Sequence, residues 1–292
     1  MLAVENPLLR APIRITDDYI LRDKSKACNK LDATKELVPK IKKNIDDKKW
    51  KTLTEPIITK KNKPVCSKAF YKMEEIIQTC VLPPPKTSFH ICEAPGGFVQ
   101  AVNDQYDTLE KWYATSISDG IQFKTDLLDL NKGEILKPDL KGDVLEKSVR
   151  DSFDMKVDLV TADGAFLDED HNAIEQTNYV LLAAETDIAL KCLKPGGIFV
   201  CKFFEGMETR TQNLIASLTN CFENVSIIKP KSSKITNSER YLVCRGFEKY
   251  LDVIDTVWTA NEGWMDDLQE ILDEYCIEQN NALNSLIKKI GK

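Results

Sequence analysis

The stretch "FHICEAPGGFVQAVND", Phe89–Asp104, opens apolar, turns at Pro95-Gly96-Gly97 and continues with apolar residues at helical spacing. Proline presets φ and glycine reaches backbone angles closed to other residues, so the segment reads as strand, tight turn and helix. The turn can be a plain strand-to-helix connection. It can also be a ligand cradle, because glycines let a ligand approach the backbone and a helix N-terminus offers unpaired N–H groups and partial positive charge. At the carboxyl edge of a parallel sheet such turns bind nucleotide-like ligands. The dinucleotide pattern GxGxxG is absent. The surrounding chain decides between the readings.

Downstream, apolar runs and helical patterns alternate. Strands are predicted at 88–93, 111–117, 157–162, 197–204, 224–229 and 240–247, with helices near 97–105, 172–193 and 208–221. "VDLVTA" and "GIFVCKFF" are apolar throughout, as in strands covered on both faces. This predicts a doubly wound α/β fold: a mostly parallel sheet with helices on both faces. "NVSIIKP" and "RYLVCRG" are separated by about ten polar residues, too few for a parallel crossover, so they should form an antiparallel C-terminal hairpin.

Upstream, residues 1–20 read as irregular, 21–50 as helical and strongly basic, and 67–82 as a helix with Phe70, Met73, Ile76 and Ile77 on one stripe, ended by Pro83-Pro84-Pro85. The expected organisation is a basic N-terminal extension (1–65), an α/β domain (66–250) and an acidic helical tail (251–292) with apolar Leu268, Ile271, Leu272 and Tyr275.

The chain has 292 residues, 42% of them hydrophobic, ample for a buried core. Net charge is −6, but residues 22–72 carry 16 Lys/Arg against 6 Asp/Glu, a local +10 that leaves −16 elsewhere. A solvated lysine-rich helix and a phosphate-binding face both fit that asymmetry. Nine scattered cysteines without a CxxC read as small buried hydrophobes in a reducing compartment. Two histidines, His90 and His171, leave little for a zinc site or a Ser-His-Asp triad. The start "MLAVENPLLRAPIR" lacks an apolar signal region, and no run approaches the ~20 apolar residues that span a bilayer. A soluble intracellular protein, in cytoplasm or nucleus, is expected.

Four polar residues stand where strands end or a helix faces the sheet. Asp163 ends "VDLVTAD", Lys202 interrupts "GIFVCKFFE", Glu239 opens "ERYLV", and Lys72 lies on the helix before the first strand of the α/β domain. A lysine in an apolar strand costs free energy unless it is paired or snorkels to water. Two lysines and two carboxylates around the carboxyl ends of the strands together point to a site.

"CEAPGGF", "TADGAF", "KPGGIFVCKFFEG" and "KPKSSKITNSERYLVCRGF" resemble the motifs of FtsJ-type RNA ribose 2′-O-methyltransferases, and "SKAFYKMEEI" is similar to the helix before that family's first strand. The likeness covers about residues 66–247, and "SSKITNSERYLVC" looks most like the mRNA cap enzymes of eukaryotes and large DNA viruses. The resemblance implies a Rossmann-like methyltransferase fold and S-adenosylmethionine as cofactor. It places the family's Lys-Asp-Lys-Glu tetrad at Lys72, Asp163, Lys202 and Glu239, with Lys202 as base, Asp163 and Glu239 as its orienters and Lys72 as electrostatic modulator.

For the cofactor it implies Glu93, Ala94, Pro95, Gly96, Gly97, Phe98, Ser116, Asp143 and Asp163. The sequence departs from the family at His90, where an acidic residue is usual, and at Ser116, where the second strand ends without one. Asp143 also reads as a turn aspartate before a helix. No metal is expected, since a sulfonium is the electrophile.

Capped RNA is the implied substrate. Lys68, Phe204, Lys231, Ser232, Ser233 and Lys234 are its candidate contacts beside Lys229, and Trp50, Phe166 and Phe204 are the candidates for stacking a cap guanine. The tail is expected to meet other capping or transcription proteins. The same chemistry on ribosomal or transfer RNA, and a non-catalytic RNA-binding subunit, are the competing readings.

A neutral lysine base requires a pKa below the ordinary ~10.4. Burial of Lys202 and the nearby Lys72 both act downward, while Asp163 and Glu239 oppose them.

Overall fold

A computed structural model describes residues 2–4, 13–14, 24–56, 58–59, 61–166, 172–253, 258–259 and 262–290. His171 lies outside them.

In chain order the elements are β1 (Leu2–Val4), β2 (Ile13–Arg14), α1 (Lys26–Lys35), α2 (Val38–Lys42), α3 (Asp47–Thr54), α4 (Ala69–Cys80), β3 (Thr87–Ile91) and α5 (Gly97–Gln105). There follow β4 (Lys111–Ala114), β5 (Gly133–Ile135), α6 (Lys147–Arg150), β6 (Val157–Ala162), α7 (Ile174–Cys192) and β7 (Leu193–Phe204). The chain closes with α8 (Thr209–Leu218), β8 (Phe222–Ile228), β9 (Glu239–Phe247), β10 (Trp258–Thr259) and α9 (Glu262–Ile290).

Eight strands form one sheet in the order β1-β8-β9-β7-β6-β3-β4-β5. The pairs from β7 through β6, β3 and β4 to β5 are parallel. The predicted hairpin is present: β8 and β9 pair antiparallel, and β9 inserts antiparallel beside β7. Helices cover both faces. One core lies between the sheet and α4 and α5, built on Phe70, Met73, Ile76, Phe98, Val99 and Tyr241. The other lies under α7, α8, α1 and α9, with Leu182, Ile188, Ile215, Leu31, Leu268 and Leu272.

One reading of the N-terminal part holds, and two details differ. The region 21–50, read as helical, holds within its described part α1, α2 and the start of α3, which runs on to Thr54. The stretch read as irregular contains β1, which pairs with β8, and β2, which pairs with β10. Strand β5 was unforeseen because it has three residues and no apolar run. It exists where Gly133 lies against Trp112, at a place where any Cβ would fall 1.7 Å from the indole.

The acidic tail is not a separate appendage. Helix α9 buries Leu268, Leu272, Cys276 and Leu283 and packs on α1. Ser25 donates to Asp273 at 2.6 Å, and Thr34 donates to Asn280 at 2.6 Å.

Candidate active site

The sheet register assembles the site. Ala162 at the end of β6 pairs with Ile91 and Cys201, which places Asp163 at the carboxyl edge beside Lys202. Lys202 opposes Tyr241, and Glu239 opposes Phe204. Residues two apart on a strand share a face, so Lys202, Tyr241 and Glu239 project together. Lys72 arrives from α4, whose Phe70, Met73, Ile76 and Ile77 are buried and set the helix against the sheet.

The four residues form two adjoining ion pairs. Lys72 Nζ lies 2.7 and 2.8 Å from the two Glu239 oxygens. Lys202 Nζ donates to the Asp163 carbonyl oxygen at 2.6 Å and lies 3.2 Å from its Oδ1. Lys202 is therefore paired rather than snorkelling, at 8% exposure. Glu239 is held by Lys72 and by the Ser233 hydroxyl, which donates at 2.8 Å; it acts on Lys202 through its charge. Burial pushes the Glu239 carboxyl up, but Lys72 and then Lys202 outweigh it and hold it below the usual carboxylate range.

The balance at Lys202 runs against the direction a base needs. Burial pulls the ammonium down, yet Asp163, Glu239 and Glu185 outweigh it, and the protein's own groups hold the pKa above the ordinary lysine value. Two neighbours, Tyr241 and Glu185, escaped the sequence reading, and a third, Ser233, has a different role. The Tyr241 hydroxyl donates to Asp163 Oδ1 at 3.0 Å. Ser233, a candidate RNA contact, is turned inward to Glu239 and is buried. Glu185 is buried on α7 and accepts from the Gly164 N–H at 3.1 Å. Its signal was available: "LLAAETDIAL" sets a glutamate in an apolar helical run.

The glycine turn lies at the same edge. Gly96 has φ +105° and precedes α5, a conformation that L side chains rarely adopt. Gly97 serves packing: a Cβ there would lie 2.4 Å from Ser67 Oγ and 2.9 Å from the Phe70 nitrogen. The Phe98 ring is buried in the core, 5.9 Å from the Tyr241 ring. Glu93 is 3% exposed; one oxygen accepts from the Phe98 N–H at 2.6 Å, and the other has no partner among the described residues. Burial, with Asp163 next, pushes its carboxyl well up. An orphaned buried acceptor beside a left-handed glycine and a helix N-terminus fits a ligand carrying both an amino and a carboxylate group.

Ser116 and Asp143 lie on neighbouring loops joined by Ser118, which donates to the Lys141 carbonyl at 2.8 Å. Asp143 Oδ1 accepts from the Leu145 N–H at 3.0 Å, so it does serve as a turn aspartate. His90 is fully buried between Ser88 and Thr161, 2.8 Å from each hydroxyl. Burial lowers its pKa to about 3, so it is neutral.

The candidate RNA contacts flank this edge. Glu55 pairs with both Lys68 and Lys234, the latter at 3.0 Å. The backbone N–H groups of Lys231 and Ser232 donate to Glu75 at 2.7 and 2.9 Å. Lys229 is enclosed, donating to Asn237 and to the Glu239 carbonyl. The Phe204 ring centre is 5.9 Å from Lys202 Nζ. Trp50 packs against the core, and Phe166 is exposed.

The model of the FtsJ-like methyltransferase family matches residues 65–247. The chain belongs to that family. Among curated relatives, it is 32% identical over 209 residues to a protein of Autographa californica nuclear polyhedrosis virus named cap-specific mRNA (nucleoside-2′-O-)-methyltransferase. That match covers 69% of this chain and 76% of the relative. A zebrafish (Danio rerio) protein named cap-specific mRNA (nucleoside-2′-O-)-methyltransferase 2 is 33% identical over 229 residues, 68% of this chain but only 30% of its own length. A solved ribosomal RNA methyltransferase structure from Plasmodium falciparum is similar at TM-score 0.49 and 20% identity, covering 63% of this chain and all of that one. Among the described residues, no helix is long and apolar enough to cross a membrane.

Proposed function

We propose that this family member transfers a methyl group from S-adenosylmethionine to the ribose 2′-hydroxyl of the first transcribed nucleotides of capped mRNA. The observation that carries the reading is Lys202: a buried lysine at the carboxyl edge of the sheet, held by Asp163 within a lysine-carboxylate pair of pairs beside the glycine turn. When bound, the cofactor supplies an electrophilic methyl group on a positively charged sulfur.

Everything else falls to the chain. Glu93 and the start of α5 are suited to its amino and carboxylate groups, and Ser116 and Asp143 to its nucleoside end. Lys202, as a neutral amine, takes the proton of the attacking hydroxyl at Nζ. Asp163 orients that amine through its carbonyl and carboxylate. Lys72 and Glu239 complete the charge pattern around it. A cationic cofactor disfavours a second cation at Lys202 and so offsets the upward pull of the three carboxylates.

Lys68 and Lys234 are suited to phosphates of the RNA, and Phe166 or Phe204 to stacking the guanine. An intracellular setting agrees with nine cysteines that form no disulfide. The division into a basic 1–65, a methyltransferase 66–250 and an acidic 251–292 belongs to the same proposal.

The test compares initial methylation rates, with labelled cofactor and at fixed salt, on matched short RNAs ending in a 5′ guanosine cap or in a triphosphate. The capped RNA should be methylated and the triphosphate RNA hardly at all, with binding that weakens steeply as salt rises. Equal rates would keep the methyl transfer and move the substrate to structural RNA.

A further inference from the structure

The peptide bond joining Asp163 to Gly164 is gripped at both ends. Its oxygen accepts from Lys202 Nζ at 2.6 Å, and its N–H donates to Glu185 Oε1 at 3.1 Å. Glu185 is 1% exposed on α7, among buried Ala184, Ile188 and Ala189. A Cβ at position 164 would lie 2.3 Å from Glu185 Oε1, so glycine there makes room for the carboxylate. Its second oxygen faces the Cys201 thiol at 3.7 Å. A carboxyl group placed so deep costs free energy, and the mechanism above gives it no task.

We propose that Glu185 is a positioning residue for methyl transfer: holding the Asp163–Gly164 peptide from behind, it fixes the carbonyl that orients the Lys202 amine. The inference rests on the reading of Lys202 as base. A peptide with a donor on its oxygen and an acceptor on its N–H is polarised, and each hydrogen bond strengthens the other.

Charge adds to geometry. Lys202 is faced by Asp163 just after β6, by Glu239 and Tyr241 of β9 and by Glu185 of α7, with Lys72 of α4 on the far side of Glu239. Cys92 and Glu93 after β3 and Cys201 of β7 complete the surroundings. Burial raises the Glu185 carboxyl to about 8. Above that pH its negative charge favours the protonated form of Lys202.

Two variants separate positioning from mere structure. Glu185→Leu keeps the volume and removes the acceptor. Glu185→Gln keeps an acceptor and removes the charge. Both are compared with the wild type on capped RNA by kcat, cofactor affinity, melting temperature and the pH profile of kcat/KM. For the Leu variant we expect kcat lower by about 10-fold or more, as a misplaced reacting group costs. Its cofactor affinity should stay within about 3-fold and its Tm should move by only a few degrees, because relief of a buried carboxyl is set against a Gly164 N–H left without its acceptor. The Gln variant should keep most of kcat, and its profile should rise at lower pH than the wild type's.

Wild-type kcat in the Leu variant overturns the inference, as does a joint fall of kcat, cofactor affinity and Tm. Should the Leu variant not fold, an unshifted profile in the Gln variant overturns it. Lys202→Ala run alongside keeps the two readings apart. Activity in that variant removes the base itself, whereas an inactive Lys202→Ala beside wild-type-like Glu185 variants removes only the present inference.

Discussion

Lys72 and Glu239 lie 167 residues apart in the chain and 2.7 Å apart in space. The pair closes α4 onto the first residue of β9 and leaves Lys202 to Asp163. Replacing Lys72 by Met leaves a largely buried carboxylate without its main cation. Loss of one partner of a buried pair costs roughly 3 kcal/mol. Because Glu239 is held low in the fold, its contribution is present above the ordinary carboxylate pKa and is lost as pH falls through the folded value. Urea titrations at neutral pH and near pH 3 should therefore show a Lys72→Met deficit that shrinks in acid. An equal deficit at both would show that the ion pair contributes nothing.

Lys202→Ala should abolish methyl transfer while cofactor affinity stays within a few-fold. Losing a general base typically costs ~10²-fold or more. Turnover and cofactor titration on the same preparation decide it, and residual activity above ~10% of wild type would refute the assignment.

His90 has a folded pKa of about 3 against an unfolded 6.5. Between those values the unfolded chain binds a proton that the folded chain refuses, so stability falls as pH drops below 6.5. The slope from this one group is about 1.4 kcal/mol per pH unit. His90→Gln should lose that slope relative to wild type in urea titrations between about pH 6 and pH 4.5. Parallel slopes would contradict the buried neutral imidazole.

The turn at Gly96-Gly97 bears on both ligand and fold. Gly96→Val should block the cofactor, since a turn built on glycine leaves no room for a branched side chain beside a ligand. The positive φ at Gly96 and the contact of Gly97 with the start of α4 make either substitution destabilising as well, by about 1–3 kcal/mol. Gly97→Ala should lower Tm even without cofactor, and an unchanged Tm would show that α4 gives way freely.

Deleting the chain after Val253 should leave the protein insoluble or strongly destabilised. It uncovers Cys28 and Leu31 on α1 and the core under Leu268 and Leu272, and it removes the Tyr275 ring from beside buried Arg240. A soluble truncated chain with wild-type Tm would restore the picture of an independent tail.

The sequence by itself determined what local patterns encode. The run "VDLVTA" is β6 to the residue, and residues 97–105 are α5. The β8–β9 hairpin follows because the connecting stretch is too short for a crossover. Asp163, Lys202 and Glu239 were visible because a charged residue at the end of an apolar strand stands out against its neighbours, and the family resemblance added Lys72's role.

The tertiary structure alone decided which lysine holds which carboxylate, since partners 39 and 167 residues apart in the chain leave no periodic trace. It also decided the sign at Lys202. Burial is foreseeable from an apolar strand, but the sum of Asp163, Glu239 and Glu185 depends on distances that only the packed sheet sets. The docking of α9 on α1 and the three-residue β5 against Trp112 belong to the same class: each is specified by surfaces that become complementary only once the rest of the chain has folded.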